Sequence, residues 1–273
     1  MTAEPSDSGS LRRLAAAAVE AFRSAVFPAR CLQCRQLLPA LTGVVDSDPA
    51  EEVSILLRPY FCRDCRSGVM PLEHPFCPRC GVMFKGRTGD DHLCSRCLEQ
   101  APPFHMARAA FAYDRSLVDV IHCFKYKGKT QLAGPLGILL WRTFRRYWGD
   151  ETVDLILPVP LHGKRLRQRG FNQSDLLVRG WKKLAAHADL PPMASGVLRR
   201  TRTTRPQAGL GRRERESNIR AAFNVRHPER VHGRHVLLID DVITTGATVG
   251  ECARQLLASG AGRVDVLALA RVI

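Results

Sequence analysis

The sequence contains no apolar run that approaches the ~20 residues a transmembrane helix requires. Aromatic residues are also scarce, at 7% of the chain. This disfavours a nucleic-acid platform built by stacking bases on aromatic rings. No grouping of serine, histidine, aspartate and cysteine predicts a protein nucleophile with its activating base. The sequence therefore argues against a helical membrane protein and against covalent catalysis by the chain itself.

The first thirty residues lack the pattern of a secretion signal. Glu20 and Arg23 interrupt their apolar part, and no small-residue cleavage site follows. We expect a disordered tail at 1–10, an amphipathic helix at 11–30 and a cytoplasmic location. The apolar side of that helix would carry Leu11, Leu14, Val19, Phe22 and Val26.

Acidic residues are rare in one stretch of the chain. Residues 162–220 contain 15 lysines and arginines but only 4 acids, so +11 of the formal net charge of +15 lies there. A local excess of this size predicts a polyanionic partner, either a phosphorylated small molecule or a nucleic acid. A solvated basic surface without a ligand is the simpler alternative.

Eight of the ten cysteines form four CxxC pairs, and a chain without a secretion signal uses such pairs to bind metal. Two pairs supply the four thiolates of a closed, structural zinc site. We predict two such sites in a module at 31–101, with iron–sulfur clusters or redox dithiols as alternatives. Sequential pairing is simplest, and interleaved pairing stays open. The ligands are Cys31, Cys34, Cys62, Cys65, Cys77, Cys80, Cys94 and Cys97.

Residues 105–273 alternate between strand and helix patterns. The continuous apolar strands favour a parallel sheet covered by helices on both faces. The remaining cysteines, Cys123 and Cys252, suit small core positions. Strands are predicted at 107–114, 153–160, 235–240 and 263–270. A loop is predicted at 158–173 and a single helix at 172–188, with Asn172 as its cap.

Asp240 and Asp241 stand side by side where an apolar strand ends. We expect them to leave the strand where the sheet opens to solvent, and so to avoid burial. Carboxylates there accept hydrogen bonds from vicinal hydroxyls or from the water shell of a divalent cation. A turn that presents backbone N–H groups at a helix start follows and forms a phosphate cradle. Its residues are Thr244, Thr245, Gly246, Ala247 and Thr248.

The stretch "VLLIDDVITTGAT" resembles the PRPP-binding motif of type I phosphoribosyltransferases. With "LPVPLHGKRLRQRGFNQS", "RRTRTTRPQAGLGRRERESNIRAAF" and the four CxxC pairs, residues 25–273 resemble the ComF/GntX family of competence-associated proteins. The long first cysteine gap departs from the pattern. The resemblance implies a type I phosphoribosyltransferase fold behind a double zinc ribbon. It also implies Mg²⁺-dependent transfer of a phosphoribosyl group from PRPP, or use of another ribose 5-phosphate.

The resemblance also assigns roles to the basic segments. The expected pyrophosphate loop contains Leu161, His162, Lys164, Arg165 and Arg167. A flexible lid would carry Arg199, Arg200, Arg202, Arg212, Arg213 and Arg215. The residues expected to carry the reaction are Asp240, Asp241, Arg205 and Arg169.

Two other functions stay open. The family's link to competence implies a single-stranded-DNA or assembly module that acts with a DNA-translocating ATPase, and the basic stretch suits that role. The fold can also serve as a PRPP sensor without turnover. Residues 107–127 are our prediction for part of the hood that selects an acceptor, and no motif there identifies the acceptor.

Overall fold

The computed structural model describes residues 28–39, 49–86, 88–185, 190–203 and 211–273. Their backbone divides into two compact units between Ser67 and Gly68. The second group of CxxC pairs therefore belongs to the larger unit, while the predicted boundary near 101–105 stays a prediction. The predicted tail at 1–10 lies outside the described residues. So does most of the predicted helix at 11–30, of which 28–30 are not helical.

The smaller unit is held by a few short elements. Helix α1 spans Pro49–Leu57 and helix α2 spans Arg63–Arg66. The Arg66 side chain donates hydrogen bonds to the hydroxyl of Ser54 at 2.8 Å and to the carbonyl of Phe61 at 2.8 Å. The first bond joins the two helices, and the second joins α2 to the segment between them.

Four parallel strands form the main sheet of the larger unit, as far as the structure describes it, and a separate antiparallel pair lies beside it. The strands are β1 (Met106–Ala112), β2 (Leu155–Pro158), β3 (Leu198–Arg200), β4 (Phe223–Val225), β5 (His235–Ile243) and β6 (Arg263–Arg271). The order in the main sheet is β1-β6-β5-β2, so β6 lies between β1 and β5. The parallel sheet predicted from the sequence is confirmed.

Helices cover both faces of this sheet, and none among the described residues is long and apolar enough to cross a membrane. The predicted single helix at 172–188 is wrong in its described part, because two short helices meet there near Gly180. The predicted loop at 158–173 contains a helix. The helices are α3 (Ser95–Glu99), α4 (Arg115–Tyr126), α5 (Ala133–Trp148), α6 (Gly163–Arg169), α7 (Gln173–Val178), α8 (Trp181–Leu184), α9 (Arg212–Ile219) and α10 (Ala247–Ala258), with 3₁₀ turns at Thr130–Leu132 and Pro228–Arg230.

The core forms where the apolar strands meet these helices. Leu237, Leu238 and Ile239 of β5 are fully buried, as expected for a strand with helices on both faces. Cys123 and Cys252 are fully buried too, which confirms their prediction as core residues.

The carboxylate of Asp265 links the amino ends of β5 and β6 through contacts with side chains. Its carboxylate accepts hydrogen bonds from Trp148 at 2.9 Å and Arg263 at 2.8 Å, and it contacts the ring of His235 at 2.9 Å. Burial raises the pKa of Asp265, but the hydrogen bonds from His235, Trp148 and Arg263 outweigh it and lower that pKa to about 2. This network lies at the amino ends of the strands, and a site can form at their opposite, carboxyl ends.

Candidate functional site

A cavity of about 750 Å³ lies where the carboxyl ends of β2 and β5 meet the start of α10. This is where ligands bind in open α/β sheets. It brings together residues from four segments that are distant in sequence. The lining includes Tyr113, Lys125, Tyr126, Leu161, Arg165, Arg169, Phe171, Gln173, Arg200, Asp240, Asp241, Thr244, Gly246, Ala247 and Thr248.

Asp240 and Asp241 lie inside β5 and are buried, with 8% and 3% of their surfaces exposed. The expectation that they leave the strand and stay exposed is therefore wrong, because β5 continues to Ile243. The Oδ1 atom of Asp240 accepts the backbone N–H of Asp241 at 2.9 Å and lies 3.5 Å from the Ser174 hydroxyl. The charge of Asp241 is instead compensated by an ion pair.

The ammonium of Lys125, on α4, lies 2.8 Å from Oδ1 of Asp241. Burial works against the charge of Lys125, but the two carboxylates outweigh it and raise its pKa. The pKa of Asp240 is raised to about 7, first by burial and then by the charge of Asp241. One cation therefore faces two adjacent carboxyl groups, of which Asp240 holds its proton more tightly than an ordinary aspartate.

The predicted phosphate loop forms a tight turn into α10. Gly246 caps the helix with a φ of +80°, a left-handed conformation that favours glycine. The Thr245 hydroxyl accepts the N–H of Ala247 at 3.3 Å, so it supports the turn. Thr244, Gly246, Ala247 and Thr248 line the cavity, whereas Thr245 lines a neighbouring one. The first N–H groups of a helix attract anions here.

Only part of the predicted pyrophosphate loop reaches the cavity. Leu161, Arg165 and Arg169 line it, while His162, Lys164 and Arg167 do not. His162 instead caps α6, its ring accepting the N–H of Lys164 at 3.3 Å. Arg169 donates to the Gln173 side chain at 2.6 Å, and its guanidinium lies 5.2 Å from the centre of the Tyr126 ring.

The predicted lid is only partly described. Arg200 lines the cavity and packs on the Phe223 ring, 5.5 Å from its centre, whereas Arg199 is exposed. Arg202 donates to the backbone carbonyls of Asn218 and Arg220 at 3.1 and 2.8 Å, which fixes it locally. Outside the described part lie Arg205 and the side chains of Arg212, Arg213 and Arg215.

Tyr113, Lys125 and Tyr126 lie within the predicted hood at 107–127, but sequence reasoning did not single them out as site residues. Lys125 belongs to a helix whose sequence, "SLVDVIHCFKY", is otherwise mostly apolar near its end. A lysine with only 16% of its side chain exposed needs a charged partner, and that burial cannot be read from the sequence.

The eight CxxC cysteines form two clusters with sequential pairing, which settles the pairing left open by the sequence. Within each cluster, the four Sγ atoms all lie within 4.8 Å of one another. Two representative Sγ–Sγ distances are 3.6 Å for Cys34–Cys62 and 3.7 Å for Cys80–Cys94. A tetrahedron with Zn–S bonds of about 2.3 Å has edges of about 3.8 Å, so both clusters fit zinc.

Comparisons with known proteins agree with the cysteine clusters. Residues 55–104 match the model of the double zinc ribbon domain. The DNA utilization protein YhgH of Escherichia coli K12 is 38% identical over 206 residues, which cover 74% of this chain and 86% of that protein. Competence protein F of Haemophilus influenzae is 30% identical over 77% of this chain and 90% of its own length. The chain belongs to the ComF family.

Competence protein ComFC of Bacillus subtilis, at 25% identity over 79% of this chain and 88% of its own, extends the ComF family comparison to a more distant relative. Among solved structures, an allosteric regulatory enzyme of purine biosynthesis matches 49% of this ComF-family chain at 22% identity. The match covers 24% of that chain with a TM-score of 0.31, too low to support an argument. The ComF-type fold, with a double zinc ribbon and a helix-covered parallel sheet, rests on the relatives and on the topology described above.

Proposed function

We propose that this protein binds PRPP together with Mg²⁺ in the cavity at the carboxyl ends of β2 and β5, and transfers the phosphoribosyl group to an acceptor. One observation carries the proposal. The carboxyl groups of Asp240 and Asp241 and the first N–H groups of α10 line the same cavity. Acceptors for a sugar diol thus lie beside donors for a phosphate, the combination that a ribose 5-phosphate requires.

Each part of the cavity has a role in this proposal. The N–H of Gly246 donates to the 5-phosphate, and Asp240 and Asp241 accept hydrogen bonds from the ribose hydroxyls. Oδ2 of Asp241 suits this role, since it is buried and has no hydrogen-bond partner among the described residues.

The departing pyrophosphate needs positive charge, which the walls of the cavity offer. Arg165, Arg169 and Arg200 line the side reached from α6 and β3. Guanidinium groups bind phosphates with paired hydrogen bonds and stabilise the charge that develops as the bond to C1 breaks. Buried and half-buried carboxylate oxygens are the ligands that Mg²⁺ and its water shell prefer, so the residues present fit the ion. Bound Mg²⁺ would neutralise charge on the pyrophosphate.

Calorimetric titration of the zinc-loaded protein with PRPP, with and without Mg²⁺, tests the binding step. At pH 8, above the raised pKa of Asp240, we expect affinity that depends on Mg²⁺ and falls at least tenfold in Asp240→Asn and Asp241→Asn, because each variant loses a carboxylate acceptor. Glu229→Gln is the matched control, since this exposed carboxylate is remote from the cavity lining. Unchanged affinity in both aspartate variants would place the ligand elsewhere.

Turnover is tested separately by pyrophosphate release over a panel of nucleobase and amine acceptors. Release with one acceptor, abolished in the aspartate variants, supports a transferase. Tight PRPP binding without release for any acceptor supports a sensor, which the same cavity also serves.

A second function, binding of single-stranded DNA, is supported by exposed lysines and arginines that do not line the cavity. Lys164 and Arg167 lie on α6, and Lys182 and Lys183 lie on α8. Relatives named for DNA utilization and competence agree with this role. We expect Lys182→Ala/Lys183→Ala to weaken DNA binding and reduce its salt dependence while leaving PRPP affinity intact. An unchanged salt slope would argue against contact with phosphates there.

A further inference from the structure

The guanidinium of Arg271 is buried beside the second cysteine cluster. Arg271 ends β6, and only 3% of its surface is exposed. It lines the same cavity as Cys80 and Cys97 of this cluster, and its side chain shares a hydrogen bond with that of Cys80. Its Nε and Nη1 atoms have no other partner among the described residues. A buried arginine in this setting requires negative charge close by.

The same cluster is fixed to the sheet on its other side. Gly81, with a φ of +68°, follows the first CxxC pair of the cluster, and a Cβ atom there would clash with the carbonyl oxygen of Ala107 on β1. The N–H of Ala107 donates to the carbonyl of Arg79 at 2.9 Å. Arg108 donates to the carbonyl of Pro78 at 2.8 Å. Backbone contacts thus hold the cysteine turn against β1, and Arg271 approaches it from β6.

Charge explains why an arginine stands at this position. A zinc ion with four thiolates carries a net charge of −2, and Cys77, Cys80 and Cys97 of this cluster are buried. Burying that charge is costly unless a cation lies close to it. Hydrogen bonds from N–H groups to metal-bound ligands also orient those ligands and tune the metal.

We propose that Arg271 is a positioning residue for the second zinc site. Its guanidinium donates to the Cys80 thiolate and offsets the charge of the tetrathiolate, so that zinc at this site and the end of β6 stabilise each other. The proposal does not depend on PRPP binding, because it concerns the metal and the strand alone.

Zinc release from the full-length, zinc-loaded protein into a chromogenic chelator tests the proposal. In Arg271→Met, which keeps the approximate shape but not the charge, we expect one of the two zinc ions to leave at least tenfold faster and the other at the wild-type rate. Arg271→Lys should give an intermediate rate, because it keeps the charge but loses the planar donor fork. Leu269→Ala is the matched control: this buried side chain belongs to the same strand, so its loss destabilises the sheet without removing a cation.

Equal release rates in the wild type and in Arg271→Met would overturn the proposal, as would equal acceleration in Leu269→Ala. Should Arg271→Met fail to fold, Arg271→Lys with cobalt(II) in place of zinc decides the matter. We then expect faster release of one cobalt ion and a shifted sulfur-to-cobalt charge-transfer band. An unchanged band with an unchanged release rate would refute the role of Arg271.

Discussion

The ammonium of Lys125 and the carboxylate of Asp241 form a buried ion pair at 2.8 Å, which ties α4 to β5 inside the candidate site. The pair explains how two adjacent carboxyl groups are kept in a buried strand. One is compensated by a lysine, and the other has its pKa raised to about 7.

Replacing Lys125 tests this arrangement. Lys125→Met leaves Asp241 as a buried acid without its cation, and we expect a loss of about 3 kcal/mol in the free energy of unfolding at pH 8. The double variant Lys125→Met/Asp241→Asn should recover part of that loss, because the unpaired charge is gone. Urea unfolding of the two single variants and the double variant measures the coupling. Additive losses would show that the two side chains do not interact.

The raised pKa of Asp240 predicts a pH dependence of stability. Between its ordinary value of 3.8 and about 7, the folded protein holds a proton that the unfolded chain releases. Stability contributed by this group is therefore lost as the pH rises through that window. We expect Asp240→Asn to gain stability relative to the wild type from pH 5 to 7, with no further gain above. Thermal unfolding at half-unit pH intervals provides the measurement.

The lowered pKa of Asp265 predicts a pH dependence of stability opposite to that of Asp240. Its pKa is lowered to about 2, so its contribution is fully present above its ordinary value of 3.8 and is lost as the pH falls through 2. Asp265→Asn should therefore be destabilised at every pH above 3.8, and by more at pH 5 than at pH 8, because Asp265 also raises the pKa of His235 and their attraction is lost as His235 deprotonates. A loss that did not grow as the pH fell from 8 to 5 would contradict this pairing.

The two cysteine clusters should respond differently to single substitutions. Cys34 is exposed and belongs to the smaller unit, whereas Cys80 is 4% exposed and packs in the core of the larger one. We expect Cys34→Ser to release one zinc ion while ligand binding in the larger unit persists. Cys80→Ser should release the other zinc ion and lower the melting temperature of the larger unit. Zinc content by mass spectrometry, with calorimetry, separates these outcomes.

Gly246→Ala separates backbone strain from steric clash. A Cβ atom there meets nothing nearer than Ile243 at 4.0 Å, so only the left-handed conformation opposes the change. We expect a loss of about 1–2 kcal/mol and weaker phosphate binding. Gly134→Ala, which also has space for a Cβ atom but lies in helix α5, should be neutral or stabilising. Equal changes in stability and phosphate binding in the two variants would show that the left-handed conformation of Gly246 does not require glycine.

The sequence predicted the elements that depend on local pattern. The run at 235–240, the turn at Gly246 and the cap at Asn172 were all identifiable from neighbouring residues, and the structure contains each of them. The four CxxC pairs likewise predicted two clusters, because zinc chemistry fixes their spacing.

Features that join distant segments could not be predicted in this way. The exposure of Asp240 and Asp241 depends on where β5 ends and on Lys125, which lies more than a hundred positions earlier. The contact between Arg271 and Cys80 also joins residues that are distant in sequence, so no local pattern predicts it. Charge excess identified a basic stretch but not which of its arginines would point into the cavity, because side-chain direction follows from tertiary packing.

The strand order has a consequence for synthesis of the chain. Strand β1 pairs with β6 in the described sheet, and the hydrogen bond from the Met106 N–H to Asp265 spans 159 positions. At roughly 5–20 residues per second, the ribosome makes β1 about 10–30 s before its partner exists. During that interval the edge of β1 that pairs with β6 is open, the kind of surface on which nascent chains aggregate. Its other edge can already bond residues 70–72, which precede it in the chain, and pairing with β6 completes the sheet only after β6 has been translated.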